Sequence, residues 1–274
     1  MAMKVPVSMH DRQKSYFKYY AQDIYKGEKE KYDKVTKEPM DNSLALHIDK
    51  RNDLFLPGNL PGEFGWWIMD DGTATIANET FFPGATGEMF DWWFAWHPID
   101  RLRYACWNCE DHFDVYLDHP LRSLDSSLSL REKTWGSVHN IWEDTSGTGR
   151  PDRIKIYFNR PSYMGYNESL IDTEACAALI TGNGFTIGHD DIPDIPAVMT
   201  HFVRPAEGGC VLRSRFWIGW MIEEGHAICC IPESLMIPPE VPRSLLLHNI
   251  KEFSNLSKIL PSIYEEEKDN WSLG

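Results

Sequence analysis

From residue 65 onward, apolar and polar positions alternate in short runs broken by turn residues, the period-two pattern of half-buried strands. Trp66-Trp67-Ile68-Met69 and Thr73-Ala74-Thr75-Ile76-Ala77 flank Asp70-Asp71-Gly72, a hairpin signal because glycine takes positive φ readily. Trp135 to Trp142 and Arg153 to Asn159 alternate in the same way. Val198–Arg204 and Cys210–Ile218 are predicted to pair through Pro205-Ala206-Glu207-Gly208-Gly209, read as a hairpin with a longer loop. Met89–Trp96 is almost wholly apolar, so periodicity leaves it open as a short buried helix or a strand. Beyond the Pro-rich Ile237–Pro242 the period changes. Leu246, Ile250, Phe253, Leu256, Leu260 and Ile263 recur at three- and four-residue intervals, which predicts a long amphipathic helix from 243 to about 266. Pro261 is placed to kink it. Hairpins followed by one C-terminal helix define an α+β class, an antiparallel sheet wrapped around that helix.

The first fifty residues follow a different pattern. They carry ten basic and eight acidic side chains and no Trp, whereas the remainder holds all eleven Trp and, with 17 basic and 33 acidic side chains, more than the whole acidic excess behind the net charge of −14. Asp11 to Lys34 is rich in Lys, Glu and Tyr and is predicted to be helical, with Tyr16, Tyr19, Tyr20 and Tyr25 near one face. The Leu56-Pro-Gly and Leu60-Pro-Gly repeat reads as a linker or paired turns. Residues 1–60 are therefore expected to form an N-terminal helical arm, packed on the body or on a second subunit, with residues 61–274 as the main domain.

Charge and apolar content narrow the function. An acidic chain with 42% hydrophobic residues is a folded protein poorly suited to phosphate backbones, so nucleic acid is not expected as a partner. Its longest apolar run, Phe216–Ile222, is far short of the roughly 20 residues that cross a bilayer, and the N-terminus lacks the apolar region of a secretory signal. The expectation is a soluble cytoplasmic protein with no membrane partner. Its six cysteines are then reduced and mostly packed; Cys106-Trp-Asn-Cys109 has CxxC spacing, but the vicinal Cys229-Cys230 makes a poor second half of a metal knuckle.

The sharpest chemical feature is His248-Asn-Ile-Lys-Glu252 on the predicted helix. Positions i and i+4 share a face, so an imidazole and a carboxylate converge, as half of a zinc site requires. A solvated or internally hydrogen-bonded pair is the plainer alternative, yet Leu245, Leu256 and Ile259 close to the same face mean that a polar pair there needs partners. Glu110-Asp111-His112 is the second feature, in which an adjacent carboxylate could support the ring of a ligating His112. His97, His119, His139, His189, His201 and His226 compete with it. His139 and Glu143 would share a strand face at roughly 13 Å, too far apart to share one metal. Spacing alone selects no unique set. GxSxG, P-loop, GxGxxG and HExxH motifs are all missing from the sequence.

Trp92-Trp-Phe-Ala-Trp-His97-Pro, Arg103-Tyr104-x-x-Trp107-x-x-x-Asp111-His112 and the distal His248-x-x-x-Glu252 resemble, in order, the diacetylphloroglucinol hydrolase and phloretin hydrolase family. The resemblance runs from about residue 60 to the C-terminus. It implies a Bet v 1-like, helix-grip body and zinc-dependent cleavage of the carbon–carbon bond between an acyl group and a phloroglucinol ring. The implied ligands are two His and two Glu: His112, then Glu143 with Glu132 as the fallback, then His248 and Glu252. Tyr104 falls on the substrate-contacting tyrosine, and His201 is the candidate for a second polar contact. Val115, three residues after His112, departs from the polar side chain expected there. A small aryl ketone is the implied partner, phloretin ahead of mono- or diacetylphloroglucinol, in a pocket lined by part of the Trp complement. The family also implies a homodimer. Two alternatives stand beside this: a non-catalytic helix-grip binder of hydrophobic ligands, and a zinc hydrolase acting on an ester or amide.

Overall fold

The computed structural model describes residues 3–187 and 194–273; His189 lies outside them. Eight strands form one antiparallel sheet: β1 (Gly65–Ile68), β2 (Ala74–Pro83), β3 (His112–Leu117), β4 (Val138–Glu143), β5 (Asp152–Phe158), β6 (Ala178–Ile187), β7 (Pro196–Ala206) and β8 (Gly209–Ile218). Their spatial order is β1-β2-β8-β7-β6-β5-β4-β3. A separate hairpin joins β9 (Trp220–Glu223) to β10 (His226–Cys229). The helices are α1 (Phe17–Ala21), α2 (Lys29–Asp33), α3 (Gly87–Trp96), α4 (Arg101–Trp107), α5 (Pro120–Leu124), α6 (Leu130–Thr134) and α7 (Glu240–Glu267). This is the α+β arrangement expected, with the long C-terminal helix laid across the sheet.

The sheet bends around α7. β2 and β3 stand six strand spacings apart, on the order of 29 Å in a flat sheet. Yet both reach the same turn of α7: Asn78 of β2 donates to Asn249 at 2.8 Å, and His112 of β3 lies 3.6 Å from Glu252. The apolar stripe predicted for the helix is the buried one, from Leu246 through Ile263. The helix starts slightly earlier than predicted, just after Pro239, and continues through Pro261 to Glu267.

Met89–Trp96 resolves as helix. Every residue of α3 except Glu88 is buried, so its all-round apolarity is that of a helix enclosed by neighbours. Gly87 permits the close approach, since a Cβ there would stand 2.4 Å from the Ala177 carbonyl oxygen. The β1–β2 turn is as expected, with Gly72 at φ 83°. The β7–β8 connection is tighter than expected: pairing continues to Ala206 and Gly209, leaving Glu207-Gly208 as a two-residue turn with Gly208 at φ 74°.

The N-terminal segment is not the continuous helix its composition predicts. It consists of a 3₁₀ turn at Asp11–Gln13, then α1 and α2, with extended backbone at Gln22 and a positive φ of 95° at Gly27 between the helices. Tertiary anchors override the Lys/Glu propensity. The Tyr16 hydroxyl donates to Asp100 at 2.7 Å, that of Tyr20 to the Val5 carbonyl at 2.6 Å, and that of Tyr19 to Glu266 at 2.9 Å. Val5, Tyr16, Tyr19 and Tyr20 belong to the same apolar core as α3, α4 and α7. The Leu56-Pro-Gly stretch is held against β7, where Arg204 donates to the carbonyls of Leu54, Leu56 and Gly58 at 2.6, 2.7 and 2.5 Å.

Candidate metal centre

The edge of the sheet farthest from β1 supplies half of the site. His112 opens β3 and pairs directly across from Glu143, which ends β4, so the two side chains leave the same end of the sheet. His248 and Glu252 sit one turn apart on α7 and meet them. His248 Nε2 is 2.9 Å from Glu143 Oε1 and 3.9 Å from Glu252 Oε2; His112 Nε2 is 3.8 Å from Glu143 Oε2 and 3.6 Å from Glu252 Oε2. Donor atoms of His112, Glu143 and His248 all lie within 4.8 Å of one another, a group that could hold a metal ion. Four tetrahedral ligands at zinc distances stand roughly 3.3–3.6 Å apart, close to the separations found.

The residues fit a cation on chemical grounds as well. His112 Nε2 and both ring nitrogens of His248 are buried without a well-aligned hydrogen-bond partner, an expensive arrangement unless a ligand satisfies them. Burial opposes charge on His248, but Glu143, Asp111 and Glu252 around it hold its pKa well above the ordinary value. Burial likewise favours a protonated Glu143, yet His248, His112 and the Tyr104 hydroxyl pull its pKa below the usual carboxylate range. Burial keeps the Glu252 pKa raised. Without a cation, this pair of buried carboxylates draws a compensating proton onto an imidazole. A divalent cation supplies that charge directly.

A supporting layer orients each ligand candidate. The Tyr104 hydroxyl, on α4, donates to Glu143, and the Tyr104 carbonyl lies 3.2 Å from His112 Nδ1. Asn249 donates to Glu252 Oε1 at 3.0 Å and is itself fixed by Asn78. Asp111 Oδ2 stands 3.5 Å from His248 Nδ1 and is held by Asn108 and Lys251, each at 2.8 Å. This corrects the expectation from adjacency in sequence: Asp111 supports the distant His248, because His112 turns into the site as β3 begins while Asp111 faces α7. Glu132 is elsewhere, accepting from the Ser129 backbone and hydroxyl in an exposed capping box of α6. Among the described residues no cysteine joins a metal-binding group, and four of the six are buried.

Glu143, Glu252 and Tyr104 border a cavity of about 560 Å³ between the sheet and α7. Its walls are Ile141, Ile154, Ile156, Phe158, Met199 and Phe216, with Phe94 and His97 from the α3 end. Thr145, Ser146, Thr148 and Ser244 also line it. His201 lies in the wall, where its Nδ1 is 3.0 Å from the Ser214 hydroxyl and burial pushes its pKa down to about 3. The pocket is not the Trp-lined one expected. Trp107 alone among the eleven Trp borders it, whereas Trp66, Trp67, Trp92, Trp93, Trp96 and Trp217 are fully buried core. Val115 is buried in the core and is not among the cavity residues. Two further histidines, His97 and His139, do line the cavity; the WWFAWHP run and the His139/Glu143 strand register were the signals for them, but neither singled them out among ten His.

Fold and site together define a helix-grip protein with a buried His/carboxylate group at the side of an apolar cavity. The family described as the DAPG hydrolase PhiG domain matches residues 45–265, and the chain belongs to it. It is 41% identical to the phloretin hydrolase of Eubacterium ramulus over 98% of this chain and 96% of that protein. It is also 28% identical to a 2,4-diacetylphloroglucinol hydrolase of a Pseudomonas species, over 85% of this chain and 82% of that one. A solved structure of Ara h 8.0201 aligns with a TM-score of 0.41 at 13% identity, covering 70% of this chain and 99% of that one. No helix of the described residues is long and apolar enough to cross a membrane.

Proposed function

We propose that this chain hydrolyses the carbon–carbon bond between an acyl group and a phloroglucinol ring, with phloretin as substrate, and that His112, Glu143, His248 and Glu252 hold a zinc ion. The observation that carries the reading is the set of buried, unpartnered ring nitrogens of His112 and His248 beside two carboxylates at the edge of an aryl-sized cavity. When bound, zinc supplies Lewis acidity, polarising a carbonyl and lowering the pKa of water.

Overall, water gives its hydroxyl to the acyl carbon, the electron pair of the cleaved bond passes to the ring carbon, and that carbon takes up a proton. The trihydroxylated ring tolerates the pair because its hydroxyls delocalise charge and allow a keto tautomer. The chain's own residues serve the rest. Tyr104, whose pKa burial and Glu143 raise well above the ordinary value, stays a hydrogen-bond donor at every working pH. With its O–H donated to Glu143, the Tyr104 hydroxyl can accept from a substrate hydroxyl, and His201 serves as the second polar contact to the oxygens of the ketone and ring. The apolar walls exclude bulk water and stack against the flat ring. The homodimer implied by the family resemblance is part of this reading, and its mass in solution tests it.

Incubating the purified protein with phloretin and, separately, with diacetylphloroglucinol, then identifying the released acid, is the deciding test. An arylpropionate formed faster than acetate, with about one zinc per chain, is expected. A metal-free protein that binds these compounds without turnover would overturn the reading in favour of a non-catalytic binder.

A further inference from the structure

The proposed reaction leaves two buried imidazoles of the cavity without a role. His97 and His139 are each 2% exposed, line the cavity, and have ring centroids 5.9 Å apart. They lie beyond the metal group. His112, Tyr104, His97 and Trp93 form a row of near-parallel rings, with successive centroids 4.1, 5.8 and 5.4 Å apart. Tyr104 thus separates the metal-binding group from His97.

The hydrogen bonds fix what these rings can recognise. His97 Nδ1 lies 2.7 Å from the Trp93 carbonyl, and a carbonyl only accepts, so Nδ1 carries the proton and Nε2 is a bare acceptor. His139 spends Nε2 on the Ser137 hydroxyl at 3.1 Å, leaving Nδ1. Among the described residues neither His97 Nε2 nor His139 Nδ1 has a hydrogen-bond partner. Nor is either sealed away from the cavity like the unpartnered nitrogens of the metal group. Around them the chamber is aromatic: Phe94 is 5.5 Å from His97, and Phe158 is 4.3 Å from His139. Burial keeps both imidazoles neutral, with His97 pushed down to about 3. A neutral acceptor in an apolar chamber selects a neutral donor, and a phenol hydroxyl is such a donor on a flat ring.

We propose that His97, with His139 beside it, determines specificity for the hydroxylation pattern of the aromatic ring, His97 Nε2 accepting a hydrogen bond from the ring hydroxyl remote from the acyl group. The proposal rests on the reaction above and adds the selection of its leaving ring. A cavity that merely needed an apolar floor would be served by Phe at both positions. A site built to pair a hydroxyl penalises the analogue that lacks it, because the buried acceptor then stays unpaired.

Equilibrium binding of 1,3,5-trihydroxybenzene and of 1,3-dihydroxybenzene to the zinc-loaded protein tests this, read by quenching of tryptophan fluorescence. Wild type is expected to favour the trihydroxy ring roughly ten- to hundredfold. His97→Phe, which keeps the ring stack, is expected to bring that ratio close to one while leaving affinity for the dihydroxy ring within about threefold. His97→Gln, which restores an acceptor, is expected to recover part of the preference and covers the case in which His97→Phe fails to fold. A preference that persists in His97→Phe, or a wild type that binds both rings equally while cleaving acylphloroglucinols, overturns this inference and leaves the reaction standing. A wild type that cleaves no acylphloroglucinol overturns the reaction and this inference with it.

Discussion

Asn249 gives the most direct test of how the metal group is built. It is fully buried, donates to Glu252 Oε1 at 3.0 Å, and accepts from Asn78 at 2.8 Å. Asn249→Ala removes both bonds, leaving a carboxylate oxygen and an amide N–H unpaired in the interior. Each orphaned group costs about 1–3 kcal/mol, so a stability loss of roughly 2–6 kcal/mol is expected. The same change frees the Glu252 carboxylate to rotate away from His112 and His248. Loss of such a supporting bond weakens metal affinity about 10- to 100-fold. Asn255→Ala is the control. Asn255 is buried on the same helix and gives its amide N–H groups to the carbonyls of Cys106 and Trp107 at 3.1 and 2.9 Å rather than to Glu252. Chelator competition for zinc and denaturant unfolding, run on both variants, separate the effects. Both should lose stability, but Asn249→Ala alone should lose metal affinity. Equal zinc affinity in Asn249→Ala and wild type would refute the reasoning, as would equal losses in both variants.

Other consequences follow from the same geometry. His248→Ala and Glu252→Ala should each abolish tight zinc binding and acylphloroglucinol turnover; a variant retaining both, by metal analysis and product assay, would remove that residue from the site. Stripping zinc should lower thermal stability, because a ligand at a hundredfold its Kd contributes about 2.7 kcal/mol, or roughly 5–10 °C here, checked by calorimetry with and without added zinc. Tyr16→Phe, which deletes a buried hydroxyl bond to Asp100, should cost about 1–2 kcal/mol in denaturant unfolding without changing turnover. His201 has a folded pKa depressed to about 3, so its contribution to stability is present above pH 6.5 and is lost as pH falls toward 3. Between pH 7 and pH 5 that loss is about 2 kcal/mol for this group, and His201→Gln should lose correspondingly less than wild type over that interval.

What the sequence shows of this molecule depends on whether the signal is local. His248 and Glu252 are legible because helical spacing alone converges them, and the stripe from Leu246 to Ile263 makes the helix certain. Glu143 is different. Its place beside His112 is a matter of strand register, set across the connection of residues 118–137 between β3 and β4, which no short-range pattern encodes. Family resemblance pointed to a Glu on the strand after His112 and kept Glu132 as the fallback; in the folded chain Glu132 is spent on the α6 capping box. Asp111 misleads for the converse reason: neighbours in sequence suggest a partnership with His112, whereas the chain turns between them. The N-terminal segment fails as a prediction because Tyr16, Tyr19 and Tyr20 gain more from buried contacts on the body than the backbone gains from one unbroken helix.

The two edges of the sheet meet α7 by different means. On the β1–β2 side, Trp66 and Ile76 pack against Leu246 and Ile250 in a small apolar cluster, beside one uncharged hydrogen bond from Asn78 to Asn249. On the β3–β4 side the named contacts with the helix are charged or polar: Lys251 with Asp111, His248 with Glu143, and His112 with Glu252. Buried ion pairs contribute little on their own, since the cost of desolvating both partners offsets their attraction. A protein needing only an apolar pocket would close this edge as it closes the other. Here, beside the Lys251–Asp111 pair, the closure is left to His112, Glu143, His248 and Glu252, so under the proposed metal site the same four residues that hold the cation also draw the far edge of the sheet onto the helix. Metal affinity and the shape of the cavity are thereby coupled, and a loss of Asn249 or Asp111 support should be felt in both.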